Sequence, residues 1–292
     1  MTKTSKIPQL CIALAATGWG LTGVFTRELS AAGFSYFDIA GVRVFLSGVL
    51  VFAFLLLTDR KSLKFKLKDI WIFLLMGFFG SAMLTTLYFY TMELITLSAA
   101  SILLYTAPFM IIIVSAILFK EKFTRSKTSA LFIAFAGCVM TVGIVDRDEL
   151  STFGIILGLV CALLYTINTT AAKFGLRKYS PFTIAVYCYF AASLILLPFC
   201  DVAGIVTLMR ENTENVTNFL LLVVFISALP AILYYKGLEK TQPGRASIIT
   251  FIEPMVATAA GLIVYNEMLT VVKVFGICLI FLSLFILSLQ EQ

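Results

Sequence analysis

The chain has 292 residues, 60% of them hydrophobic and 13% charged, with a formal net charge of +6, six cysteines and no histidine. That balance would leave a soluble domain without a polar surface, so it excludes one and places the chain in a bilayer. Membrane orientation and lipid headgroups account for the basic excess, and no nucleic-acid partner is expected.

Ten apolar runs succeed one another: 9–25, 37–57, 70–92, 97–119, 129–145, 153–172, 182–199, 219–235, 246–265 and 274–289. Each is close to the ~20 residues that cross a ~30 Å hydrocarbon core as a helix. The first shows no small-residue cleavage site and is expected to be a retained span, not a signal peptide.

The first segment carries Thr17-Gly18-Trp19-Gly20-Leu21-Thr22, where small residues permit either tight helix packing or close approach of a ligand to Trp19 and Thr22. The second contains Arg43, roughly seven residues or about 10 Å from its edge. A charge at that depth either binds or gates, or fixes its helix through backbone carbonyls. The third segment ends in Tyr88 and Glu93, and the fourth opens on Tyr105-Thr106-Ala107-Pro108 and closes on Lys120-Glu121. A proline inside a span bends it and frees a carbonyl. The fifth segment has few polar positions and is read as support.

The sixth segment holds Tyr165 and Asn168, the eighth Tyr234 and Glu239, and the ninth Glu253-Pro254 followed by Asn266-Glu267. Asp201 to Asn218 reads as the longest outer connection, with an Asn215-Val216-Thr217 glycosylation sequon of low specificity. All six cysteines lie in or beside apolar runs with no CxxC, so they read as packing residues; neither a metal nor another cofactor is expected.

The later segments repeat the earlier ones at an offset of 146 residues. Pro108 falls on Pro254, Glu121 on Glu267, Tyr88 on Tyr234, Glu93 on Glu239, Trp19 on Tyr165 and Arg27 on Lys173. Only near the second segment does the offset slip, where Ser35 meets Ser180. Two five-helix units over 8–146 and 152–289 follow, and an odd number of spans forces the second to enter the membrane from the opposite face. The expected fold is all-α: ten transmembrane helices as two inverted five-helix repeats.

Seventeen Lys and Arg fall in the connections on one side and four (Arg27, Arg147, Arg210 and Lys273) on the other. The positive-inside rule puts both termini in the cytoplasm. Glu121 and Glu267 stand at opposite faces and read as structural. Glu253 lies about 10 Å from the cytoplasmic side with no basic neighbour in sequence. It either exchanges a proton for a cationic or zwitterionic cargo, or holds the Pro254 kink.

With Trp19-Gly20, Gly41-Val42-Arg43, Tyr105-Thr106-Ala107-Pro108, Phe119-Lys120-Glu121, Ile252-Glu253-Pro254 and Asn266-Glu267 in place, the sequence resembles the drug/metabolite transporter superfamily, in its ten-helix branch of two EamA-type domains. The resemblance covers about Pro8 to Leu289. It implies a monomer-sized bundle in a bacterial cytoplasmic membrane, whose cavity is lined by helices 1, 3, 4, 6, 8 and 9. Carried onto this chain, that gives Trp19, Thr22, Tyr88, Tyr105, Asn168, Tyr234 and Glu253 as substrate-binding residues. Arg43, Pro108 and Pro254 stand as structural or gating residues.

The expected function is secondary transport of a small metabolite, such as an amino acid or amine, by alternating access and efflux. An uncoupled facilitator or channel is the alternative, and an intramembrane lipid-handling protein or enzyme a remote one. No P-loop, metal-ligand cluster or nucleophile-base pair is present to support ATP-driven or enzymatic chemistry.

Overall fold

A computed structural model describes residues 6–122, 124–142, 151–266 and 268–289. The polypeptide is all-helical, with ten long helices in chain order: α1 (Ile7–Ala31), α2 (Tyr36–Thr58), α3 (Leu67–Leu94), α4 (Leu97–Phe119), α5 (Arg125–Val142), α6 (Thr152–Gly175), α7 (Pro181–Phe199), α8 (Thr213–Lys240), α9 (Pro243–Tyr265) and α10 (Val271–Ser288). All but α5 are long and apolar enough over their described residues to span a bilayer. α5 opens with Arg125 and Lys127, and its apolar body packs along α10.

The repeat is visible in three dimensions. Ser35 and Ser180 cap α2 and α7, accepting from the Asp38 and Thr183 backbone N–H groups at 3.1 and 3.2 Å. α4 and α9 both end on a left-handed residue, Lys120 at φ 55° and Asn266 at φ 51°, 146 positions apart. The α5–α10 crossing is self-symmetric. A Cβ on Gly137 would lie 2.6 Å from the Gly276 oxygen, while their repeat counterparts, Ser283 and Ala130, are joined by a Ser283 hydroxyl donating to the Ala130 oxygen at 2.7 Å.

Pro108 and Pro254 sit where the sequence placed kinks. α4 breaks between Leu104 and Ala107, and α9 between Ile249 and Ile252. Each proline lies in the first turn after its break, where its missing N–H costs no helical bond. α1 is also broken, at Leu21.

Wide π-type turns interrupt α3 at Leu75–Met83 and α8 at Leu222–Ala228, again at matched positions. Such turns leave carbonyls poorly paired. In α8 they are claimed from outside: Ser47 donates to the Val223 oxygen at 3.4 Å and Tyr189 to the Ser227 oxygen at 2.9 Å.

α1, α8 and α9 pack as one group and α3, α4 and α6 as another. At the end rich in Lys and Arg the groups meet: the second half of α4 (Ala107–Phe119) packs on the first half of α9 (Pro243–Ile249). Glu121 is buried there, paired with Lys127 at 2.6 Å and accepting from the Gly244 N–H at 3.3 Å. At the opposite end the repeat-related segments, Leu97–Leu104 and Ile252–Tyr265, show no comparable packing. The basic end is thus sealed and the other parted.

The 201–218 connection is helical for most of its length. Asp201 caps a helix over Val202–Glu211 whose Ile205, Leu208 and Met209 cover an apolar cluster of Leu29, Phe34 and Phe219. Asn215 is buried and donates to the Leu208 oxygen at 2.9 Å, so its amide is not presented to a glycosylating enzyme. Glu267 and the 143–150 connection lie outside the described residues.

Candidate functional site: a carboxyl among aromatic rings

The two helix breaks face each other. Tyr105 and Phe251, counterparts in the repeat, stack with ring centroids 5.6 Å apart, so the pseudo-twofold relation passes close to them. Glu253 is two residues further on, in the first turn of the second half of α9, where a carboxylate is favoured by the helix dipole. Tyr105, Tyr88, Tyr165 and Cys138 are its neighbours.

The backbone at Glu253 is held from α1. A Cβ added at Gly20 would stand 2.7 Å from the Glu253 oxygen, a clash that only glycine avoids. That crossing brings Trp19 within 5.1 Å of Tyr234, centroid to centroid. The Tyr234 hydroxyl in turn approaches Thr169 at 3.5 Å and the hydroxyl of Tyr165. Tyr88 is anchored by Ser101, oxygen to oxygen 3.0 Å.

Of the residues expected at a binding site, Trp19, Tyr88, Tyr105, Tyr234 and Glu253 therefore lie around one polar centre. Thr22 stands one helical turn beyond Trp19, past the α1 break, and is half-buried. Asn168 lies against α3: a Cβ on Gly80 would be 2.4 Å from its side chain, and its Oδ1 is buried without a hydrogen-bond partner.

Arg43 is placed apart. It neighbours Tyr189 of α7, its Nε is buried without a hydrogen-bond partner, and no carboxylate pairs with it among the described residues. It does not neutralise Glu253. Tyr165 and Cys138 are the additions from structure. The repeat pointed to Tyr165, as the counterpart of Trp19, whereas nothing in the sequence marked Cys138.

A carboxyl with no ion-paired cation among the described residues, set among tyrosine hydroxyls and aromatic faces, is suited to an ammonium group, through charge, hydrogen bonding and cation–π contact. No group of three or more His, Cys, Asp or Glu able to hold a metal occurs among the described residues.

A ten-helix membrane bundle of two inverted halves, broken at paired prolines around one carboxyl, defines a class of membrane transporter. The chain belongs to the EamA-like transporter family, whose model matches residues 6–143 and again 152–289. It is similar to an uncharacterized transporter of Archaeoglobus fulgidus, 29% identical over 95% of this chain and 97% of that one. It is also similar to the uncharacterized transporter YxxF of Bacillus subtilis, at 22% identity over 99% and 91%. A solved crystal structure shares the fold with a TM-score of 0.79, covering 97% of this chain and 98% of its own at 16% identity. The chain is thus a multi-pass membrane transporter for a small molecule, not an enzyme.

Proposed function

We propose that this transporter is a secondary, alternating-access carrier that exports a small organic solute bearing an ammonium group, an amine or an amino acid, across a bacterial cytoplasmic membrane. The observation that carries this reading is Glu253, a carboxyl with no cationic partner among the described residues, set among Tyr88, Tyr105 and Tyr165 where the two inverted halves meet. Proton and cargo would compete for this one acceptor, which couples their movements. The protein acts as a monomer, since one chain supplies every residue of the site.

Purified protein in liposomes should accumulate or release radiolabelled amines or amino acids faster under a proton gradient than without one. Flux indifferent to the gradient would make it a facilitator. Leucine at Tyr88, Tyr105 or Tyr234 removes an aromatic contact worth about 0.5–2 kcal/mol, so apparent affinity should fall roughly two- to thirtyfold with expression unchanged. Unchanged affinity in all three variants would mark these rings as packing only.

The basic end, with both chain termini, is assigned to the cytoplasm. In a background with the six cysteines replaced by alanine, cysteines at Lys64 and Lys178 should react with a membrane-impermeant maleimide only from inside, and one at Glu214 only from outside. Labelling of Lys64 and Glu214 from the same face would overturn the orientation.

A further inference from the structure

We propose that Lys173 and its repeat counterpart Arg27 are alternating gate residues, each latching the carboxyl end of a tyrosine-bearing helix in one of the two transport conformations. The inference rests on the alternating-access reading above.

Lys173 lies in the last turn of α6. Its ammonium donates to the backbone oxygens of Leu238, Glu239 and Thr241 at 2.6, 3.0 and 2.8 Å. Three donors are thereby matched by three acceptors. Those oxygens belong to the end of α8 and the residue after it, where carbonyls lack helical partners and the helix dipole is negative. α6 packs with α3 and α4, and α8 with α1 and α9, so these bonds tie the two groups together where the basic end is sealed.

The offset of 146 carries Lys173 onto Arg27, and Leu238, Glu239 and Thr241 onto Met92, Glu93 and Ile95, at the end of α3. The corresponding bonds are not made. The Arg27 guanidinium instead lies 4.1 Å over the Tyr265 ring of α9, within its own helix group, at the parted end. Phe119, the counterpart of Tyr265, lines with Lys173 a recess of about 220 Å³ at the basic end. The Phe119 ring already carries the Arg177 guanidinium at 5.0 Å, so the basic end differs from the other in holding both its cation–π contact and its carbonyl latch at once.

The inverted repeat converts this asymmetry into a prediction of the other state. There Arg27 donates to the Met92, Glu93 and Ile95 oxygens and closes its own end, while Lys173 releases α8. Arg27 is one of four basic residues at an end where orientation selects against them, which agrees with a role beyond topology. The relative strength of the two latches then sets the resting population of the two conformations.

Spin labels at two repeat-related pairs read the states directly in the full-length protein: Lys122 with Lys240 at the basic end, Met268 with Leu94 at the other, all four positions exposed. Wild-type protein should show mainly the short distance for the first pair and the long one for the second. Lys173→Met should raise the population open at the basic end about tenfold or more, Lys173→Arg should restore it, and Arg27→Met should deplete it. Two populated distances that respond to neither Lys173→Met nor Arg27→Met would overturn the latches while leaving alternating access intact. One fixed distance for each pair, in every variant and with saturating amine, would instead defeat the alternating-access reading itself. If Lys173→Met fails to fold, Arg27→Met alone still decides, since a mere surface cation would leave both distributions unmoved.

Discussion

Glu253→Gln protein is expected to reach the membrane, remain monodisperse in detergent and lose transport of amines and amino acids, together with any pH dependence of that transport. The substitution keeps the shape of the side chain and a hydrogen-bond acceptor for Tyr105 but removes the negative charge that holds an ammonium group. The residue is in the first turn of a half-helix and its backbone is clamped by Gly20, so a purely architectural carboxyl there would help the helix begin and the bend after Thr250 persist. Glutamine largely preserves that function, which is why this variant separates the two roles. Transport at the wild-type rate with an unaltered pH profile would reduce Glu253 to a helix-starting residue. The loss expected on the functional reading is large because a charge-assisted contact is worth more than its neutral equivalent.

Lys127→Met is expected to cost about 3–5 kcal/mol of stability, read as a depressed midpoint of thermal unfolding in detergent. Lys127 and Glu121 have side chains only 6% and 4% exposed and an N–O distance of 2.6 Å, and the ammonium also donates to the Gln242 Oε1 at 3.1 Å. Methionine matches the lysine stem in length but leaves Glu121 buried with the Gly244 N–H as its remaining partner. Adding Glu121→Gln to the same protein should recover part of the loss, since the penalty comes chiefly from the abandoned charge. A shift equivalent to less than about 1 kcal/mol would mean that water reaches the carboxylate and that the pair behaves as a surface one.

Much of the fold was legible in one dimension because it is written twice. A 146-residue offset recurs in Pro108 and Pro254, Tyr88 and Tyr234, and Lys120 and Asn266, and apolar runs of membrane-spanning length need no tertiary context to be seen. Helix direction and the location of the kinks followed. Which face of each helix points inward did not, because that depends on packing and on local helix geometry. The wide turns of α3 and α8 have no composition that distinguishes them from ordinary apolar helix. Asn168 illustrates the difficulty: it is the most polar position in its stretch, yet it spends its side chain against Gly80 of α3. Tyr165 was visible only as the counterpart of Trp19, and Cys138 approaches Glu253 solely because α5 crosses α9. In sequence Lys173 is one of 17 orienting charges, and only the packing of α6 beside the end of α8 brings it to its three carbonyl partners.

The paired π-type turns make residue number behave as an angle. Each wide turn absorbs chain that an α-helical ladder would have placed further round the axis, so Tyr88 and Tyr234 inherit their inward phase from turns that end five and six residues earlier. Deleting a single residue within 75–83 would let the hydrogen-bond ladder of α3 return to its ordinary step and would shorten the helix very little. Everything beyond would keep its phase, because an α-helical ladder of one residue fewer turns through about the same total angle as the wide turn it replaces; the same deletion in ordinary helix would rotate the rest by about 100°. A deletion in the regular helix within 84–87 would instead take Tyr88 away from Ser101 and turn the carbonyls of Met92 to Ile95 toward a different neighbour. In this protein a one-codon deletion becomes a screw motion of half a helix everywhere except in these two turns, and the twin turns keep both halves on the same thread.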